Sequence, residues 1–194
     1  MESWLLRAKH WVIFILTFGL LFLIQFISLP FVIIAEDPMP VYSIMGPACI
    51  IIYLAFFYWM YVIGVNLHKR LPAAAEMSLK KFKLFIITPM LYLIGLGLLM
   101  FFVFNDQFSA QIDRHLGYFA AGFLLMVPIH FFAMFCIFYC FHFNAKALKS
   151  VELQRPVTFN DFGSDFILFW FYPLGIWFIQ PRINKIFSNH GDTV

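Results

Sequence analysis

The chain has 194 residues, 63% of them hydrophobic and only 12% charged, with a mean hydropathy of +0.87. A soluble domain carries about 45–50% apolar and about 25% charged residues, and a net charge of +3 is too mild to argue for an acidic partner. Disorder, a coiled coil, a disulfide-rich secreted module and a nucleic-acid-binding domain are excluded on these figures, which leaves one polytopic integral membrane domain over residues 1–194.

Crossing about 30 Å of hydrocarbon takes about 20 apolar residues in a helix. Four segments qualify: Trp11–Ala35, about Ile44–Val65, about Leu84–Phe104 and about Leu116–Phe143. The first follows Arg7 and Lys9 and is too long for the core of a signal peptide, so it reads as an uncleaved span. No soluble domain is expected on either side.

A fifth apolar run, residues 166–179, is shorter and contains Pro173-Leu174-Gly175. Its length suits a re-entrant segment better than a span, and proline with glycine predicts a break there. Thr158 with Asp161 matches a capping box and marks the start of this segment. The fold class is therefore all-α, with four transmembrane helices and a broken C-terminal re-entrant or fifth helical segment.

Basic residues set the orientation. Arg7, Lys9, Lys69, Arg70, Lys80, Lys81, Lys83, Lys146, Lys149 and Arg155 fall on one side, and Arg114 falls opposite with Glu36, Asp37, Asp106 and Asp113. The positive-inside rule puts the N-terminus in the cytoplasm. Arg182 and Lys185 obey it only if the fifth segment returns to that side, so the C-terminus is expected there too. An opposing signal is a possible tandem repeat. Pairing Asn66 with Asn144 and Pro89 with Pro173 aligns several flanking residues, and a true repeat would make the fifth segment span as the third helix does.

Ionisable residues at mid-membrane are functional candidates by default, and the middle of these spans holds no Asp, Glu, Lys or Arg. His130, two residues after Pro128, is the exception. Its imidazole suits an interhelical bond to Thr88, Gln25 or Ser28, or a ligand or proton-carrying role. His68 and His142 share a depth and could pair around a metal or cofactor. With Asn66 and Asn144 they form a mirrored Asn-Leu-His and His-Phe-Asn, which also suits capping of two helix ends. Haem would need an axial ligand such as histidine, and no two histidines share a depth in the core. The Phe-rich helices would suit a quinone, or simply face lipid. No cofactor or metal is predicted.

Cys136 and Cys140 share a helix face and read as small apolar residues. Gly117 and Ala121, with Gly95 and Gly97, predict close packing of the third and fourth helices. Lys80, Lys81 and Lys83 are placed for anionic headgroups, and Arg182 for a lipid phosphate or a partner's carboxylate. Soluble-enzyme signatures such as a P-loop, G-x-S-x-G, H-E-x-x-H or C-x-x-C are missing.

The run Gly175-Ile-Trp177 followed by Gln180-Pro-Arg-Ile-Asn184 resembles the C-terminal segment of small, uncharacterised bacterial membrane proteins. The resemblance covers about 25 residues. It implies a bacterial inner membrane and brings no activity with it. Three functions fit the residues: a non-catalytic structural or accessory subunit of a membrane complex, a small-solute or lipid carrier built on two helix pairs, and a membrane redox protein or enzyme using His130 or His68 with His142. The expected partners are the bilayer and other membrane subunits or further copies of the chain, with no nucleic acid.

Overall fold

The structure, a computed structural model, describes residues 4–34, 39–103 and 116–188; side chains of 39–45, 100–103, 116–121 and 123 are outside the description. The predicted outer charges Glu36, Asp37, Asp106, Asp113 and Arg114 and the predicted Gly117–Ala121 contact fall outside it too. The described residues are all-helical, and four helices among them are long and apolar enough to cross a membrane.

After a short turn of 3-10 helix, Trp4–Leu6, α1 runs from His10 to Ile34. It is interrupted by a π turn at Ile15–Gly19. Then come α2 (Met39–His68), α3 (Leu79–Val103), α4 (Leu116–Leu153), α5 (Phe159–Trp170) and α6 (Tyr172–Ser188). Helix α2 packs against α1, α3 and α4, α3 packs on α4, and α5 and α6 close the ring back to α1.

The helix predicted to stop at Phe143 continues ten residues further, to Leu153. The extension is amphipathic: Ala145, Ala147, Leu148 and Val151 are buried while Glu152 and Leu153 are exposed. Lys146 and Lys149 are therefore helical, not loop residues. The stop is local. Gln154 takes a left-handed φ of 51°, its amide donates to the Val151 carbonyl at 2.6 Å, and Pro156 follows. Between α2 and α3, residues 71–78 form no helix. Ser78 instead accepts the Lys81 N–H at 3.4 Å as α3 begins.

The capping box is present. Asp161 accepts the Thr158 N–H at 2.9 Å, and Arg155 clasps the same carboxylate at 2.8 Å. The break sits at Phe171, however, two residues before the predicted Pro173. Phe171 leaves helical geometry (φ −86°, ψ 52°), and its carbonyl accepts the N–H groups of Leu174 and Gly175. Pro173 thus opens α6, where a missing N–H costs nothing. Gly175 is needed for a different reason: a Cβ there would strike the Leu168 backbone carbonyl.

The α5–α6 hairpin starts and ends at one end of the bundle. Arg182 pairs with Glu152 near the end of α4, Asn184 reaches the Ala8 carbonyl before α1, and Arg70 just beyond α2 donates to the Ile186 carbonyl at 2.5 Å. Its elbow reaches in to Phe56 and Trp59 of α2. Those residues lie 9–12 positions before His68, about 14–18 Å along the helix. That is close to half of a hydrocarbon layer. The segment therefore turns back part-way along the bundle. It does not copy α3, which passes unbroken through Pro89, so the geometry departs from the one a tandem repeat demands.

Candidate functional site

The buried polar groups gather where the hairpin meets the rest of the chain. Gln180 is fully buried. Its carbonyl accepts the Trp59 indole N–H at 3.0 Å, and its amide donates to the Leu5 carbonyl at 2.8 Å, the Ala8 carbonyl at 3.3 Å and the Asn184 side chain at 2.9 Å. Asn184 donates in turn to the Ala8 carbonyl at 3.0 Å. One amide thus joins α6 to α2 and to the segment before α1.

Closer to the shared end, Asp165 is 2% exposed and lies against Arg182. The Arg182 fork also takes both oxygens of Glu152, at 2.7 and 2.6 Å. Burial works against the arginine charge, but the hydrogen bonds it donates to Asp165 and Glu152 outweigh it and hold the guanidinium firmly protonated. Arg182 was expected to face a lipid phosphate or a partner. Its carboxylates come instead from its own chain, on α4 and α5.

At the elbow, Thr17 donates to the Ile13 carbonyl at 2.7 Å, so the Tyr172 hydroxyl must donate to Thr17. The π turn carries Thr17 to this contact, and Thr17 in return serves a carbonyl at the turn's edge. The Tyr172 ring lies edge-on to Phe56 and Trp59, at 4.7 and 5.1 Å between centroids.

The histidines and asparagines fall elsewhere. His130 meets none of its expected partners; its Nδ1 bonds the Tyr92 hydroxyl at 2.9 Å, and the pair faces outward. The reason is register: Tyr92 of α3 comes alongside His130, whereas Thr88 lies a turn away and turns its hydroxyl to the Leu84 carbonyl. His68 donates from Nε2 to the Met77 carbonyl at 2.9 Å and stacks on Phe143, while His142 meets the edge of Phe162 on α5. They do not face each other. Asn66 donates to the Val62 carbonyl within its own helix, but Asn144 crosses to the Met60 carbonyl of α2 at 3.2 Å. Asn144 and His142 lie inside α4, so neither caps it. Among the described residues no group of three metal-binding side chains stands together, and the Asn144 carbonyl oxygen and the Ser150 hydroxyl are buried without a partner.

Lys80, Lys81 and Lys83 are exposed in the first turns of α3. Cys136 and Cys140 are buried, free thiols. The predicted packing of α3 on α4 is made by aromatic edges, Phe85 against Phe135 and Tyr139. The glycine contacts point to α2: a Cβ on Gly97 would meet Ile50, and one on Gly64 would meet Phe82 and Asn144.

For the polar groups that hold the hairpin, namely Thr17, Trp59, Asp165, Tyr172, Gln180 and Asn184, the sequence reading assigned no polar role, although Gln180 and Asn184 lie in the run that carries the resemblance. One signal was available for α6. Tyr172, Gly175, Ile176, Ile179, Gln180, Ile183 and Phe187 recur at helical spacing and form its buried stripe. No family model, curated protein or solved structure matches the chain.

Proposed function

We propose that the protein is a non-catalytic structural subunit of a larger assembly in a bacterial inner membrane, with both termini in the cytoplasm. One observation carries this reading: where polar side chains are described, those buried at the hairpin are consumed in holding the chain to itself, while two polar side chains within the spans, Gln25 and His130, face outward. A polar group facing lipid costs free energy until another helix meets it. Outward polar groups at depth are what an assembling subunit needs, and a hairpin whose buried polar groups bond within the chain is what a scaffold needs. The exposed Lys80, Lys81 and Lys83 suit the anionic surface of the cytoplasmic leaflet.

The other readings have less beneath them. A carrier built on two helix pairs draws on the repeat, and α5 does not copy α3. A redox protein draws on paired histidines, and His68 and His142 turn to different neighbours. The test is a mild-detergent pull-down of the tagged chain from its native membranes, read by mass spectrometry against an untagged control. A stoichiometric second protein is expected. Recovery of the chain alone would overturn the subunit reading.

A further inference from the structure

Among the described residues Gln25 and His130 are two outward polar groups, beside the exposed Tyr53 and Tyr58 of α2, and they are complementary. The Gln25 side chain is exposed in the outer part of α1, where Leu23, Phe26, Ile27 and Leu29 around it are also exposed, and it has no hydrogen-bond partner among the described residues. His130 has one partner, Tyr92 on Nδ1, so its Nε2 is unpaired among the described residues. Ile129, Phe131 and Phe132 beside it are exposed.

Their depths agree. Thr17 meets Tyr172, which rests on Phe56 and Trp59. Gln25 is eight residues further from the shared end, a rise of about 12 Å. Asn144 meets Met60, and His130 is fourteen residues further from that end, about 21 Å. Met60 itself lies about 2–6 Å nearer the shared end than Phe56 and Trp59. His130 therefore lies about 3–8 Å further from the shared end than Gln25, an offset of about one helical turn that side chains of their length can bridge. They lie on different faces: α1 and the α3–α4 seam pack on α2, and α2 stands between them.

We propose that copies of this chain associate side by side in the bilayer, α1 of one against the α3–α4 seam of the next, with the Gln25 amide bonded to His130 Nε2. All copies insert with the same orientation, so level groups on different faces meet by lateral contact alone. A two-fold pairing of Gln25 with itself would leave His130 unpaired, whereas this contact satisfies both. The glutamine suits either imidazole tautomer, since its carbonyl accepts from Nε2–H and its amide donates to a bare Nε2. Such a head-to-tail contact closes a ring or extends as a row. It draws on the same two outward groups as the subunit reading, and the tests part the two: the pull-down asks for a second protein, the cross-link for a second copy.

The test uses the full chain in native membranes, with Cys49, Cys136 and Cys140 replaced by alanine. Oxidative cross-linking of Gln25→Cys together with His130→Cys is expected to give a ladder of dimers and higher species. Ser28→Cys with His130→Cys is expected to give none, because Ser28 is buried against its own bundle. A dimer from Gln25→Cys alone, or no cross-link from the pair, would overturn the contact. Where the double variant is not recovered folded, energy transfer between labelled copies in liposomes decides. Gln25→Leu is expected to weaken association about 3- to 18-fold, the range of one interhelical hydrogen bond. Unchanged association would overturn the proposal.

Discussion

Arg182 and Asp165 lie on opposite arms of the α5–α6 hairpin and bond through paired oxygens and nitrogens, one contact at 3.0 Å, with the carboxylate 2% exposed. The arginine reaches Glu152 on α4 with its Nε and with Nη2, which it shares between the two carboxylates. One side chain thus fixes the hairpin's two arms to each other and both to a span. Removing one member of a buried ion pair strands the other's charge, at about 3–5 kcal/mol. Arg182→Met should lower the thermal midpoint in detergent sharply. Adding Asp165→Asn should recover most of the loss, because the stranded charge is gone. Equal losses in the single and double variants would mean that packing, not charge, dominates there.

The start of α5 should respond to acid. Arg155 first, and then the Thr158 N–H, hold the Asp161 carboxyl well below the usual carboxylate range. The folded pKa is depressed, so the carboxylate's support is complete above its unfolded value near 3.8 and fades as pH falls toward the folded one. Amide exchange over residues 159–163, corrected for the intrinsic rate, should quicken below about pH 4. Asp161→Asn should exchange faster at neutral pH and lose that dependence. The same pH profile in both proteins would remove Asp161 as its source.

Gln180 ties three parts of the chain, so its loss should be felt at a distance. In Gln180→Leu the Trp59 N–H and the Leu5 carbonyl lose their partners, while the Ala8 carbonyl keeps Asn184. Each stranded buried group costs about 1–3 kcal/mol. The segment before α1 should loosen first, seen as faster maleimide labelling of a cysteine at Leu5 at temperatures where the spans hold. Labelling unchanged from the parent would show that the amide's bonds are dispensable.

The four spans and the α5 cap were legible because their signals are local: a long apolar run and a Thr–Asp pair at fixed spacing. The end of α4 was not, because Lys146 and Lys149 resemble loop charges until Ala145, Ala147, Leu148 and Val151 are seen as one buried face. The hairpin's return was legible in the shortness of the run 166–179 and in the count of basic residues, and its turn was misplaced because Pro173 marks a helix start as readily as a break. Gln180 stands just beyond the apolar run 166–179. Its role depends on Leu5, Ala8 and Trp59, residues more than a hundred positions away, and no local pattern announces such a contact. His130 was found, but its partner depended on the register of α3 against α4.

Gly64 tests the closest approach in the core. A methyl group there would lie 2.7 Å from the Asn144 oxygen and 2.6 Å from a Phe82 ring carbon. Phe82 has little freedom to yield: it is fully buried and stacked on Phe143 at 4.3 Å. Overpacking of this kind costs about 1–3 kcal/mol. Gly64→Ala should therefore lower the unfolding midpoint, whereas Gly95→Ala, which faces open space, should leave it unchanged or raise it slightly. Phe82→Leu, added to Gly64→Ala, should return part of the loss by giving the methyl group room, although it also removes the stacked ring. If Gly64→Ala and Gly95→Ala behave alike, α2, α3 and α4 do not meet as closely as Gly64, Phe82 and Asn144 place them.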